Sequence, residues 1–224
     1  MKIGVLGMWH LGSVTAACLA SLGFDVIGLD SNSQAIDGLN SGKPPLYEPG
    51  LEELINQGIK DNKLSFGTDY SGGLSDINVL WVCIDTPVDA EDNANIDAVL
   101  DAIKKCLTEV PNNTKVIISS QLPVGSIAKL EAYCKSNLAL KNIIFAASPE
   151  NLRLGDAITI FFNPDRIVVG VRNEKDKMYF YEIFHRISSN LEWMSTESAE
   201  MTKHAINSFL AIEAEPIKTG RPNL

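Results

Sequence analysis

The chain's 224 residues are 45% hydrophobic and 21% charged, the proportions of an ordinary globular protein with room for one sizeable core. A net charge of −9 disfavours nucleic acid as a partner, and no apolar run reaches the roughly 18–20 residues that cross a bilayer. The N-terminus enters a glycine-punctuated strand in place of a signal peptide, so the cytoplasm is the expected compartment.

Lys2–Leu6 is a short apolar run, followed by the turn Gly7-Met8-Trp9-His10-Leu11-Gly12, a small-residue helical run to Gly23 and a second apolar run ending in Asp30. Strand, glycine turn, helix, strand and terminal acid form the front half of a dinucleotide-binding βαβ unit. Gly7 permits the tight turn and Gly12 lets the helix lie close to the strand. The N–H groups at the helix start attract a pyrophosphate, which makes Gly7, Trp9, His10, Leu11 and Gly12 the expected cofactor-binding segment. Asp30 stands where a carboxylate holds the ribose hydroxyls, and its charge repels a 2′-phosphate, which favours NAD over NADP. Trp9 occupies the middle glycine position of the fingerprint. Its indole must point out of the turn or displace the cofactor.

Ser31 and Gln34 have the spacing of a capping box for a helix that runs to about Asn40 and ends at Gly42. Pro44–Gly50 reads as an ordered surface loop, followed by a short helix, Leu51–Gln57. A strand over Leu64–Phe66 precedes a break at Gly72-Gly73. Asn78–Ile84 is a buried strand that ends in Asp85-Thr86-Pro87. After the polar stretch Asp89–Asn95 comes a helix, Ile96–Glu109. Strand Lys115–Ser119 ends in Ser120-Gln121-Leu122-Pro123, and helix Ser126–Ser136 follows. Strand Asn142–Ala147 ends in Ser148-Pro149-Glu150-Asn151. The remaining elements are strand Arg166–Val171, helix Glu174–Ile187, strand Leu191–Met194 and a helix from Thr196, its N-cap, to about Glu213, broken by Pro216. Alternating strands and helices indicate a Rossmann-like, doubly wound α/β fold with a mainly parallel sheet.

Ligands of such sheets bind outside the carboxyl ends of the strands. The three polar, proline-containing corners should therefore line one crevice with the glycine turn, which brings Thr86 and Ser120 to the cofactor. On the last helix, Thr202, Ile206, Phe209 and Leu210 make an apolar face, with Lys203 and Asn207 beside it. Spacing alone reads these two as a solvated flank. The four cysteines (Cys18, Cys83, Cys106, Cys134) lack a Cys-x-x-Cys pair and read as buried free thiols in a reducing compartment, and no metal is expected.

Taken together, the chain resembles the UDP-glucose/GDP-mannose dehydrogenases. The motifs are Gly7–Gly12, Tyr47-Glu48-Pro49-Gly50-Leu51, Val82–Pro87, Ser120–Gly125, Ser148–Arg153, Pro164–Gly170 and Ala199-Glu200-Met201-Thr202-Lys203, spread from Lys2 to about Ala211. The Tyr47–Leu51 and Ser148–Arg153 motifs argue against a β-hydroxyacid-type dehydrogenase. The resemblance implies oxidation of the C6 alcohol of a UDP- or GDP-hexose to the carboxylate with two NAD per turnover, by an enzyme that is a homodimer at full length. It implies that Glu150 sits near the reacting carbon and that Lys203 and Asn207 stabilise negative charge on the sugar oxygen, on the order of 3 kcal/mol per donor. The segment Asn151, Leu152, Arg153 to Gly155 is then the loop that holds the nucleotide sugar, alongside Glu150 and Lys203.

Departures from the family pattern include Trp9, Asp85 in place of a small residue, Gln121 in place of threonine and Leu154 in place of glutamate. A carboxylate at position 85 is unfavourable near a pyrophosphate unless it is turned away or paired. The family's nucleophilic cysteine lies in a domain beyond the last helix, and none of the four cysteines has its motif. The expected layout is a NAD-binding domain over 1–194, the start of a linker helix over 195–215 and a tail over 216–224, incomplete for full turnover. The alternative is a non-catalytic NAD- or nucleotide-binding module derived from this family.

Overall fold

The computed structural model describes residues 1–87, 94–138 and 141–214. Pro216, the tail 216–224 and most of the polar stretch Asp89–Asn95 lie outside them. Strands β1 (Lys2–Leu6), β2 (Asp25–Leu29), β3 (Leu64–Gly67), β4 (Val79–Val82), β5 (Lys115–Ile118), β6 (Ile144–Ala147), β7 (Ile167–Val171) and β8 (Leu191–Ser195) form one sheet in the order β3-β2-β1-β4-β5-β6-β7-β8. All neighbouring pairs are parallel except β6 and β7. The strand order reverses between β1 and β4, the point at which open α/β sheets bind ligands.

The strands are apolar on both faces because both faces are covered. Ile3, Val5, Val79, Trp81 and Ile117 enter one core with helices α1 (His10–Ser21), α3 (Leu51–Lys60), α7 (Ala157–Phe162) and α8 (Lys177–His185). Leu80, Val82, Val116 and Ile118 enter the other with α4 (Tyr70–Leu74), α5 (Ile96–Glu109) and α6 (Ser126–Asn137). Helix α2 (Ser33–Asn40) lies beside β3, and α9 (Thr196–Ala214) closes the described chain. No helix among the described residues is long and apolar enough to cross a membrane.

Several local expectations are corrected. Asn32, not Ser31, caps α2, with its Oδ1 accepting from Ala35 N at 3.2 Å. The cause is Asp30, whose Oδ1 accepts from Asn32 N at 2.9 Å and turns the chain for one residue more before the helix begins. Gly72-Gly73 lies inside α4 and does not break the chain, because Asp69 caps that helix through Gly72 N at 3.1 Å. The glycines admit close packing, since a Cβ on Gly73 would come within 2.9 Å of Leu29. Thr196 is not the cap of α9. Ser195 Oγ accepts from Ser198 N at 3.2 Å, while the Thr196 hydroxyl is buried and has no partner among the described residues. Helix α7 had no counterpart in the sequence pattern, and the helix expected over Glu174–Ile187 divides into a 3₁₀ turn, Glu174–Asp176, and α8. All four cysteines are free and buried.

The apolar side expected along α9 is not a core face. Ala199 is fully buried beneath Gly170, but Ile206 is exposed and Phe209 is 61% exposed, because α9 leaves the sheet after its first turns. The side chain of Leu210 lies outside the described residues.

Helix α1 determines where the cofactor turn sits. Nine of its residues, among them Val14, Ala16, Ala17 and Ala20, are buried against the sheet, a packing that only small side chains allow. Gly7 has φ +92, and a Cβ on Gly12 would fall 1.7 Å from Gly7 O. Gly12→Ala must therefore lift α1 off β1. Urea denaturation is expected to show a loss of about 1–3 kcal/mol, the usual cost of overpacking, and an unchanged midpoint would disprove the close approach.

Candidate functional site

Three cavities follow one another across the carboxyl ends of the strands. The first, of about 1000 Å³, is lined by Gly7, Asp30, Ser31, Tyr70 and Ile84. The second, of about 670 Å³, shares Ile84 with it and adds His10, Leu11, Thr86, Ser120, Glu150 and Lys203. The third, of about 550 Å³, shares Pro149, Glu150, Leu152 and Lys203 with the second and continues past Asn151 to Phe161 and Arg166. The glycine turn and all three polar corners thus open on the central cavity, as expected.

The corners are wired to each other. Trp81 Nε1–H donates to Ser119 Oγ at 2.9 Å, and Ser119 Oγ–H donates to the Ser148 carbonyl at 2.8 Å, so β4, β5 and β6 end in one buried chain of hydrogen bonds. Thr86 Oγ1 donates to the Gln121 carbonyl at 3.0 Å across the mouth of the cavity. Ser120 is 8% exposed, and its hydroxyl has no partner among the described residues. A buried hydroxyl left unsatisfied costs about 1–3 kcal/mol, and one that lines a cavity is satisfied by whatever fills it.

Three helix N-termini reach this crevice, and they are treated differently. That of α5 is capped by Asn95, whose Oδ1 accepts from Ala98 N at 3.1 Å. That of α6 is filled from within the chain: the Glu200 carboxylate of α9 accepts from Gly125 N at 2.6 Å and Ile127 N at 2.8 Å. Helix α1 has Trp9 as its N-cap, with no side-chain cap bond. Trp9 is half exposed and lines none of the three cavities, so the indole points out of the turn. Asp30 Oδ2 accepts from Met8 N at 2.7 Å, which holds the carboxylate at the edge of the turn. Burial, and then the Asp30 charge, push the Tyr70 phenol up to about 12, so it stays neutral. Glycine turn, uncapped helix start, rim carboxylate and orphan hydroxyl together fit a dinucleotide laid from the first cavity into the second.

Glu150 and Lys203 form the electrostatic centre of the far wall. Burial pushes the Glu150 carboxyl above its ordinary range, opposed by the Asn151 N–H, the Lys203 charge and the Leu152 N–H. Burial lowers the Lys203 ammonium, against the pull of Glu150 and with a further push from Arg153. Lys203 Nζ donates to Asn151 Oδ1 at 3.1 Å. Asp85 stands at the mouth of the central cavity, where partial burial raises its pKa and His10 counters the effect. Not every expected residue converges. Asn207 is exposed one turn beyond Lys203 and Arg153 is exposed on the loop, and neither lines any of these three cavities.

The sequence reading missed Ser119, Glu200 and His204. The ring Nε2 of His204 lies 2.9 Å from the Leu122 carbonyl, so α9 grips the Ser120–Gly125 corner on both sides of Lys203. Glu200 lies inside a recognised motif, yet nothing in a single sequence tells a helix-capping glutamate from a solvated one.

A family model described as the UDP-glucose/GDP-mannose dehydrogenase family, NAD binding domain, matches residues 1–188. The UDP-glucose 6-dehydrogenase YwqF of Bacillus subtilis is 35% identical over 212 residues, 94% of this chain and 48% of that protein. A GDP-mannose dehydrogenase of Pseudomonas aeruginosa, solved as a ternary complex, superposes with TM-score 0.87 at 27% identity, covering 95% of this chain and 50% of that one. A UDP-D-ManNAc dehydrogenase of Pyrococcus horikoshii gives TM-score 0.88 at 25% identity, with coverage of 95% and 51%. The chain thus spans about half the length of these relatives.

Two outcomes follow from the geometry. Trp9→Gly is expected to leave dinucleotide affinity within about twofold, the effect of an outward-facing surface residue; a large gain in titration would show the indole in the way. Because the folded-state pKa of Glu150 is raised, its charge opposes folding, and that penalty disappears as pH falls below the unfolded value near 4.5. Glu150→Gln should therefore stabilise the chain against urea at pH 7 and not at pH 4. A stability difference independent of pH would contradict the desolvated carboxylate.

Proposed function

The chain belongs to the UDP-glucose/GDP-mannose dehydrogenase family through its NAD-binding domain, and from that membership we propose that it is the cofactor-binding portion of a nucleotide-sugar 6-dehydrogenase. The observation that carries the proposal is that the glycine turn and the Glu150–Lys203 pair open on the same cavity. The cofactor of this domain is NAD, which accepts a hydride when bound. Gly7, Trp9, His10, Leu11 and Gly12 would hold its pyrophosphate through backbone N–H groups at the start of α1. Asp30 would hold the adenosine ribose, and Thr86 and Ser120 the nicotinamide end.

In this reading the C6 alcohol of a UDP- or GDP-hexose enters the central cavity beside Glu150. The carboxylate, held above its ordinary range by burial, takes a proton or orders a water more readily than an exposed glutamate does. Lys203 is poorly screened for the same reason and stabilises negative charge on the sugar oxygen. Asn151, Leu152 and Arg153 frame the nucleotide sugar, largely through their backbone. Asn207 takes part only where the substrate reaches one turn past Lys203. The four thiols of this chain are buried, and burial raises each of them, Cys134 up to about 11 and Cys106 up to about 12. None is a nucleophile at neutral pH.

Calorimetric titration tests this directly. NAD is expected to bind at least tenfold more tightly than NADP, a difference of about 1.4 kcal/mol, and Asp30→Asn should narrow that gap. UDP-glucose and GDP-mannose are the first sugars to test, with Lys203→Ala expected to weaken whichever binds. Binding of NAD but of no nucleotide sugar would leave a cofactor-binding module derived from the family. Sustained NADH formation with a sugar-acid product by this chain alone would overturn the assignment of its thiols as inert.

A further inference from the structure

The Tyr47–Leu51 motif has no part in the chemistry above, yet it contains the most deeply buried acidic side chain at the site. Glu48 is 3% exposed, in a loop whose neighbour Tyr47 is 83% exposed. Its main chain is fixed by the turn into α3, where Leu51 N donates to Glu48 O at 3.1 Å. Glu48 Oε2 lies 2.8 Å from His10 Nε2 and accepts from Gly155 N at 2.8 Å, and Oε1 accepts from Ala157 N at 2.9 Å. These partners are 38 and more than 100 residues away in sequence. His10 is the first residue of α1 and belongs to the cofactor turn. Gly155 ends the loop from Asn151, and Ala157 begins α7.

We propose that Glu48 is a positioning residue that locks the cofactor turn and the nucleotide-sugar loop into one geometry. The proposal rests on the functional assignment above. Both segments are otherwise loops or helix starts, and Glu48 is the side chain that bonds to both. The chemistry requires a carboxylate. Two backbone N–H groups and an imidazole converge on a group with two acceptor oxygens and no donor. A carboxamide of the same shape must turn its NH₂ toward at least one backbone N–H, whichever way it is flipped. Burial alone would raise the pKa of Glu48, but the bonds from His10, Gly155 and Ala157 outweigh it and hold the carboxyl below its ordinary range, so the charged acceptor persists. Helix α1 thereby gains a tether, and the loop acquires a fixed end three residues from the Leu152 that lines the cavity.

A double-mutant cycle separates positioning from general support of the fold. Glu48→Gln is expected to weaken NAD and UDP-glucose binding by about tenfold each, the scale of one charge-assisted hydrogen bond, while thermal melting stays cooperative. In a His10→Ala background the same substitution should no longer affect NAD, because the bond that transmits the effect is already gone. Its effect on UDP-glucose should persist through Gly155 and Ala157. Wild-type affinities in Glu48→Gln, or an NAD penalty undiminished in the His10→Ala background, would overturn the proposal. Amide hydrogen exchange of the ligand-free chain provides an independent reading. Glu48→Gln should deprotect both 10–13 and 155–157, and His10→Ala only the first. If the unsubstituted chain bound neither ligand, the functional assignment would fall, and the exchange result would still decide: protection unchanged in either segment of Glu48→Gln refutes the lock.

Discussion

The structure depends on a contact too short for a side chain to enter. Where α1 crosses the end of β1, the Gly12 Cα faces Gly7 O so closely that a single methyl group would collide with it. That approach turns the uncapped N–H groups of α1 toward the crevice and brings the small residues Ala16, Ala17 and Ala20 onto the sheet. It also sets Met8 N against the Asp30 carboxylate. The cofactor turn is therefore a product of packing, and its anion-binding character follows from the direction in which the helix must leave the strand.

Around that contact the chain distributes charge by burial. Glu48 and Glu150 are both desolvated, with opposite results. Three hydrogen bonds to Glu48 outweigh its desolvation, whereas two backbone N–H groups and a through-space ammonium do not do so for Glu150. The first carboxylate stays charged, and the second is held above its ordinary range. Glu200 shows a third use of a carboxylate, filling the start of α6, so that with α5 capped by Asn95 the start of α1 is the one of the three at the crevice without a side-chain cap.

The sheet, its doubly wound order and the convergence of three strand ends were legible in the sequence because apolar runs alternate with helical periods and end in polar, proline-bearing corners. Boundaries set by side chains reaching across the chain were not. Asp30 moved the cap of α2 by one residue, and Ser195 took the cap of α9 from Thr196 because β8 runs straight into that helix. Helix α7 was invisible because six residues carry too little periodicity. Within the site, Glu150 and Lys203 came from motif resemblance, and spacing had marked Lys203 as solvated. Glu48 was recognised as part of a motif, but its partners are brought together only by the fold.

The neighbouring serines at the end of β5 have a consequence for strand register. Ser119 is committed, accepting from Trp81 and donating to Ser148, while Ser120 carries a hydroxyl without a partner among the described residues. They are the same residue type at adjacent positions, and both line the central cavity. A slip of β5 by a single position would exchange them and break the chain of hydrogen bonds from Trp81 through Ser119 to Ser148. Pairing of Val82 with Ile118 guards against that slip. Fidelity of strand alignment therefore matters twice here, once for folding and once for which hydroxyl is left without a partner among the described residues at the cavity wall.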